Sequence, residues 1–178
     1  MRRRMRGTPI PLKELLENNI FSAGLNACLQ EVFETIEKRE YQCNTLMCIN
    51  PHSYVTAKAD PSFMGALVSS NWLIPDGVGI ILSAKILNTN VPIRLTGPDL
   101  FYATMAQLNI SGGSVFFLGS SETTLSKIRA KILGDYPNVQ LCGTYSPPFK
   151  KTFDINDNRL MLRAINNAAP DVLWVGLT

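Results

Sequence analysis

Asp76 is the residue that type and surroundings best equip to move a proton. Pro75-Asp76-Gly77 sets a carboxylate between apolar Leu73-Ile74 and a glycine-rich helix start, a setting able to raise a carboxyl pKa and to align it as a general base. The same position suits an ordinary aspartate N-cap, and local pattern leaves both readings open. Arg94 is isolated between Ile93 and Leu95, so its guanidinium must meet an anion or water. A bound phosphate and an internal carboxylate are equally suitable partners. Other chemistries find less support. Gly77-Val78-Gly79 runs on to Leu82 where a dinucleotide fingerprint needs its third glycine, and no G-x-x-x-x-G-K-[ST] occurs, which demotes NAD and P-loop chemistry. There is no G-x-S-x-G, and the lone His52, after Pro51, suits a helix start better than a hydrolase triad. Cys28, Cys43, Cys48 and Cys142 show neither a C-x-x-C pair nor histidine spacing. Zinc, a thioredoxin-type site and a disulfide framework are therefore not indicated, and the four are expected to be buried small apolar residues in a reducing compartment.

The elements that must hold these residues alternate between strand and helix. Leu29, Val32, Phe33 and Ile36 recur at helical steps beside Glu31, Glu34 and Glu37, predicting an amphipathic helix from Asn26 to about Glu40. Thr45 to Ile49 is a short apolar run stopped by Asn50-Pro51, as expected of a strand buried on both faces. Asp60-Pro61 opens a helix through Phe63 to Val68, with an acceptor at N-cap and proline at the first helical position. Another helix follows Asp76-Gly77, with Val78, Ile81, Leu82 and Ile86 expected inside. Thr96-Gly97-Pro98-Asp99 starts a helix to Leu108, with acidic Asp99 in its positive first turn. Ser114 to Leu118 reads as a strand and Gly119-Ser120-Ser121 as a turn into a helix with core residues Leu125, Ile128 and Ile132, ending at Gly134. A strand at Val139 to Cys142, a helix from Asp157 to Ala168 and a strand at Val172 to Val175 complete the pattern. The fold class is thus α/β, a Rossmann-like parallel sheet with helices on both faces. Ligands of such sheets bind beyond the carboxyl ends of the strands. Those positions are Asn50, Asp76, Thr96 to Asp99, Gly119 to Ser121, Gly143 to Tyr145, and Gly176 to Thr178. Several are small residues opening a helix, where N–H groups face an anion such as a diphosphate.

Composition bounds the answer. The chain has 178 residues, 46% hydrophobic and 17% charged, enough apolar material for one ordinary domain and too much for disorder. No apolar run reaches the ~18 residues of a membrane span. Four arginines lie in the first six residues (Arg2, Arg3, Arg4, Arg6) and the net charge is +3, so the remainder carries about −1. A basic tip attracts anionic lipid by ~1 kcal/mol per residue, or is simply a solvated terminus. No apolar segment of a secretory signal follows Arg6, so a cytoplasmic protein is expected. No nucleic-acid partner is expected, and a homo-oligomer is left open.

Taken in order, Asn50-Pro51, Pro75-Asp76-Gly77-Val78-Gly79, Arg94-Leu95-Thr96-Gly97-Pro98-Asp99-Leu100, Phe117-Leu118-Gly119 and Pro170-Asp171-Val172-Leu173-Trp174-Val175-Gly176 resemble the WecG/TagA/CpsF family of bacterial glycosyltransferases, from about Leu46 to the end. The resemblance implies an inverting, metal-independent transferase that moves a sugar of the N-acetylmannosamine type from a UDP-sugar to a polyprenyl-diphosphate-linked acceptor. Such an enzyme works peripherally at the inner face of the plasma membrane, in cell-surface polysaccharide or teichoic acid synthesis. The family's base aspartate matches Asp76 and its arginine matches Arg94. Its Thr-x-Asn block falls on Cys48-Ile49-Asn50, where a thiol replaces a hydroxyl's hydrogen bond poorly; Asn50 carries over. No cofactor is implied. The leaving diphosphate is expected to be offset by fixed cations and N–H donors, with Arg94 and the Gly97 and Gly119 helix starts as candidates, because no Asp-x-Asp metal motif occurs; Asp99 is a further substrate-binding candidate. Family members continue beyond the last strand into a Pro-Lys-Gln-Glu block and a C-terminal appendage. The expected organisation is therefore a basic, flexible arm over residues 1–22 and a single α/β domain over 23–178 that lacks the family's C-terminal portion. The alternative is a non-catalytic nucleotide-sugar binding or scaffolding module, which UDP would stabilise without any sugar transfer.

Overall fold

The computed structural model describes residues 10–38, 43–91 and 93–177; the basic tip at Arg2 to Arg6 lies outside them. The chain divides into two compact units, residues 1–102 and 103–178. In the first, α1 (Leu12–Asn18) and α2 (Leu25–Lys38) precede β1 (Leu46–Ile49), α3 (Pro51–Ala59), α4 (Pro61–Ser69), β2 (Trp72–Pro75) and α5 (Val78–Ile86). The strands pair in parallel, Leu46 opposite Trp72 through Ile49 opposite Pro75. A parallel pair needs a long return path, and α3 and α4 supply it.

β2 is buried along its whole length, and its alternating side chains serve two cores. Leu73 packs with Leu15, Leu16, Ile49, Met64, Leu67 and Ile80, whereas Trp72 and Ile74 pack with Cys28, Leu95 and Leu100. The predicted strands and the helices α2 and α4 are in place. Asp60 accepts from the Ser62 and Phe63 amides at 2.9 and 3.1 Å, the N-cap foreseen ahead of Pro61.

In the second unit, which takes the later part of α6 (Gly97–Ser111), follow β3 (Gly113–Gly119), α7 (Glu122–Asp135), β4 (Val139–Tyr145), α8 (Ile155–Ala168) and β5 (Val172–Gly176). Its three strands are parallel in the order β4-β3-β5. Phe116 and Leu118 of β3 pack with Met161 of α8, beside Cys142, Ile165 and Leu173.

Parallel α/β architecture is as expected, with three differences. The described strands form a pair and a triplet rather than one sheet, because apolar runs reveal that a strand is buried but not which strand lies beside it. Residues 10–22 do not form a free arm. Leu15 and Leu16 of α1 are buried, Ile20 bridges Leu73, and the Phe21 amide donates to the Leu73 carbonyl at 2.8 Å. A seven-residue helix is too short to persist alone, so packing rather than local pattern creates it. Finally, α5 buries Ile80 and Ala84, while Val78, Leu82 and Ile86 of the expected inner stripe are exposed. A helix apolar on nearly every side carries no periodic signal to say which side turns inward.

Candidate active site

The register of β1 and β2 brings two separated sequence motifs to one level. Asn50 and Asp76 each follow the last residue of their strand, and the Asp76 amide donates to the Ile49 carbonyl at 2.8 Å. Both stand at the carboxyl end of the pair, where α/β sheets hold ligands.

Asn50 is held by α3. Its Oδ1 accepts from the Ser53 amide at 2.8 Å, and Ser53 Oγ accepts from the Asn50 amide at 2.8 Å, a reciprocal capping box. Its acceptor is thereby committed to the helix, and among the described residues its Nδ2 donors have no partner. Asn50→Ala is expected to lower stability by about 1 kcal/mol through loss of the cap, seen as a shifted denaturation midpoint; an unchanged midpoint would contradict the capping role.

Asp76 has a different situation. The N-cap of α5 is Gly77, at φ 91°, with no side-chain cap, so the aspartate does not cap the helix it precedes. Its carboxylate is half-buried and meets no hydrogen-bond donor among the described residues. Two contacts fix the backbone around it. The ring of Pro51 would lie 2.5 Å from a Cβ placed on Gly79, so only glycine lets the first turn of α5 rest on the start of α3. On the other side the Leu95 amide donates to the Pro75 carbonyl at 3.0 Å, laying residues 94–96 beside β2.

Cys48 lies next to this carboxylate. Burial, and then the negative charge of Asp76, push its thiol up to about 11, so at neutral pH it is a protonated, weak donor. Its Sγ would stand 3.5 Å from a Cβ on Gly97, which brings the start of α6 to the same place. Cys48 and Gly97 thus approach each other, within electrostatic reach of Asp76, although the sequence spreads the three widely. Asp99 is occupied otherwise: its carboxylate accepts from Thr96 Oγ1 at 2.5 Å and the Thr96 amide at 3.3 Å, and its own amide donates back to Thr96 Oγ1 at 3.2 Å. It fastens the first turn of α6. Arg94 is exposed, and among the described residues no carboxylate pairs with it.

Gly119 stands in the second unit. It is buried, at φ 115°, and a Cβ there would run into the backbone carbonyl of Gly176, its partner across β3 and β5. Close strand approach thus accounts for this glycine, while Ser121 caps α7 by accepting from the Thr124 amide at 3.2 Å. His52 is an exposed residue in the first turn of α3, as expected. Cys43 is exposed rather than buried, because it lies ahead of the apolar run of β1. Sequence reasoning missed Gly79; its contact with Pro51 was visible only once the two helix starts were adjacent. No described helix is long and apolar enough to cross a membrane.

An N-acetylglucosaminyldiphosphoundecaprenol N-acetyl-beta-D-mannosaminyltransferase of Bacillus subtilis (strain 168) is 28% identical over 129 residues, 72% of this chain and 48% of that protein. The protein of the same name from Bacillus spizizenii is 25% identical over 132 residues, 74% of this chain and 49% of its own length. The chain spans about half the length of the curated relatives it matches. The family model for glycosyl transferases of the WecG/TagA/CpsF type matches residues 14–178, starting well before the Leu46 at which the motifs become legible. With that match covering nearly the whole sequence, the chain belongs to the WecG/TagA/CpsF glycosyl transferase family.

Proposed function

We propose that this chain carries the catalytic base of an inverting glycosyltransferase, which moves an N-acetylmannosamine-type sugar from a UDP-sugar to a polyprenyl-diphosphate-linked acceptor at the inner membrane face. The observation that carries the reading is the Asp76 carboxylate, half-buried and without a donor among the described residues, at the carboxyl end of β2 beside Asn50 and Cys48. A half-buried carboxylate without a hydrogen-bond donor among the described residues, at the carboxyl end of a parallel strand pair, is a functional candidate. Asp76 accepts the proton of an acceptor hydroxyl as that oxygen attacks the anomeric carbon. The bond from that carbon to the diphosphate oxygen breaks on the opposite face, and UDP leaves with the electron pair. The leaving charge needs fixed donors rather than reorganising water. Arg94, exposed and unpaired among the described residues, supplies one; the uncapped first-turn amides of α5 supply others. The reaction needs no resident cofactor.

The test is transfer of radiolabelled sugar from UDP-N-acetylmannosamine to a polyprenyl-diphosphate N-acetylglucosamine acceptor, with the anomeric configuration of the product read by NMR. A β-linked product from an α-linked donor is expected. Retention of configuration, or UDP binding with no transfer under any donor, sinks the reading, and the second outcome favours the binding module. Arg94→Ala is expected to lower kcat/KM for the donor by about 10–100-fold through loss of one charge-assisted contact. An unchanged kcat/KM removes Arg94 from the donor site.

A further inference from the structure

We propose that the outward face of α5 docks the candidate site onto the surface of an anionic lipid bilayer. This rests on the lipid-linked acceptor proposed above and names the surface that brings the base to it. Val78, Leu82 and Ile86 follow one another at four-residue steps and are 68%, 56% and 76% exposed, while Ile80 and Ala84 of the same helix are buried. Helical geometry puts those three in one stripe. A helix that is apolar all round belongs in surroundings apolar on both sides, and this one has core on only one. Exposed apolar residues are ordinary when scattered, but a continuous stripe marks a binding face.

Charge selects the occupant. Lys85 is the one charged residue of α5, it is exposed, and among the described residues no carboxylate pairs with it. α3, whose Pro51 packs under Gly79, adds exposed Val55 and Lys58 on the row of Pro51. Apolar side chains flanked by cations that have no carboxylate partner among the described residues match an interface of anionic headgroups over acyl chains. Position completes the argument. α5 begins two residues after Asp76 and is nine residues long, or about 13 Å. The acceptor hydroxyl is tethered by one sugar and a diphosphate to a polyprenyl chain that stays in the bilayer. A base serving it must work within that tether of the membrane surface, and the stripe starting beside Asp76 puts it there.

The experiment is flotation of the full chain with phosphatidylglycerol–phosphatidylethanolamine vesicles. Wild type is expected to float, and the double variant Leu82→Glu/Ile86→Glu to bind at least ~10-fold more weakly. Lys85→Glu, which removes no apolar surface, is expected to lose roughly tenfold on these vesicles and little on uncharged ones. Leu133→Glu, an equally exposed apolar site on α7, is expected to float like wild type. The proposal is overturned if wild type does not float, if the double variant floats undiminished because the arginine tip alone binds, or if Leu133→Glu loses as much. It is also overturned if sedimentation shows that wild type self-associates through this face and the double variant disperses it. Flotation is independent of turnover. Sugar transfer by a chain that does not float sinks the docking face alone, and flotation without Asp76-dependent transfer sinks the base alone.

Discussion

Asp76→Asn is expected to give a chain that folds normally and has lost transfer by about 10²–10⁴-fold, the contribution of a positioned general base. The amide matches the carboxylate in shape but cannot take a proton. Stability is the control that separates this effect from misfolding. The Asp76 side chain does not cap α5, since Gly77 is its N-cap, and it has no hydrogen-bond donor among the described residues, so its replacement by an isosteric amide removes no hydrogen bond described there. A thermal midpoint equal to that of wild type is therefore expected, with UDP binding retained. The neighbouring thiol gives a readout unrelated to turnover. The Asp76 charge is one of the two causes that hold Cys48 near 11, so the substitution should lower the pH at which that thiol ionises. Turnover within about threefold of wild type would dismiss Asp76 as the base. A Cys48 titration that does not move would dismiss the proximity of the two side chains.

The second large effect is on stability, from Gly119→Ala. Two costs coincide there. Its φ of 115° lies where a side chain is strained by ~1–3 kcal/mol. The added methyl would also meet the Gly176 carbonyl, which is backbone in the paired strand β5. A flexible neighbour would yield, but here β3 and β5 would have to separate, at a further ~1–3 kcal/mol. A total of roughly 3 kcal/mol is a large share of a typical 5–15 kcal/mol, and for a chain of this size it corresponds to a fall in Tm of about 6–12 °C. Differential scanning calorimetry tests it; a fall below about 2 °C would show that the strands part at little cost.

How much of this was legible beforehand depends on whether a feature is local. Asp60-Pro61 and Ser121 announced their helices because a cap and its amides are neighbours in the chain. Asn50 and Asp76 were marked by following apolar runs, and parallel pairing then put them level. The meeting of Cys48 with Asp76 and Gly97, by contrast, depends on how the ends of β1, β2 and the start of α6 converge. No spacing encodes that. Gly119 was legible as a turn into a helix and a candidate phosphate contact, whereas a close strand approach asks for the same missing side chain, and only the position of Gly176 reveals it. Asp99 was marked by an acidic first turn; that its carboxylate is engaged by Thr96 is a matter of rotamer and was not legible. The face of α5 was misjudged for a related reason, since Val78, Ile80, Leu82 and Ile86 are alike in polarity and only the fold chooses among them.

The contact of Ile20 and Phe21 with Leu73 has a consequence for solubility. β2 is paired with β1 on one flank; on the other, Ile20 bridges Leu73, the Phe21 amide donates to the Leu73 carbonyl and the Leu95 amide to the Pro75 carbonyl. A chain begun after Phe21 would keep Asp76 and every strand, yet would leave the Leu73 carbonyl of an apolar strand without its donor, at the kind of open edge through which sheets of separate molecules pair. Trimming the chain back to the recognisable motifs is therefore expected to raise its tendency to aggregate, as read by light scattering.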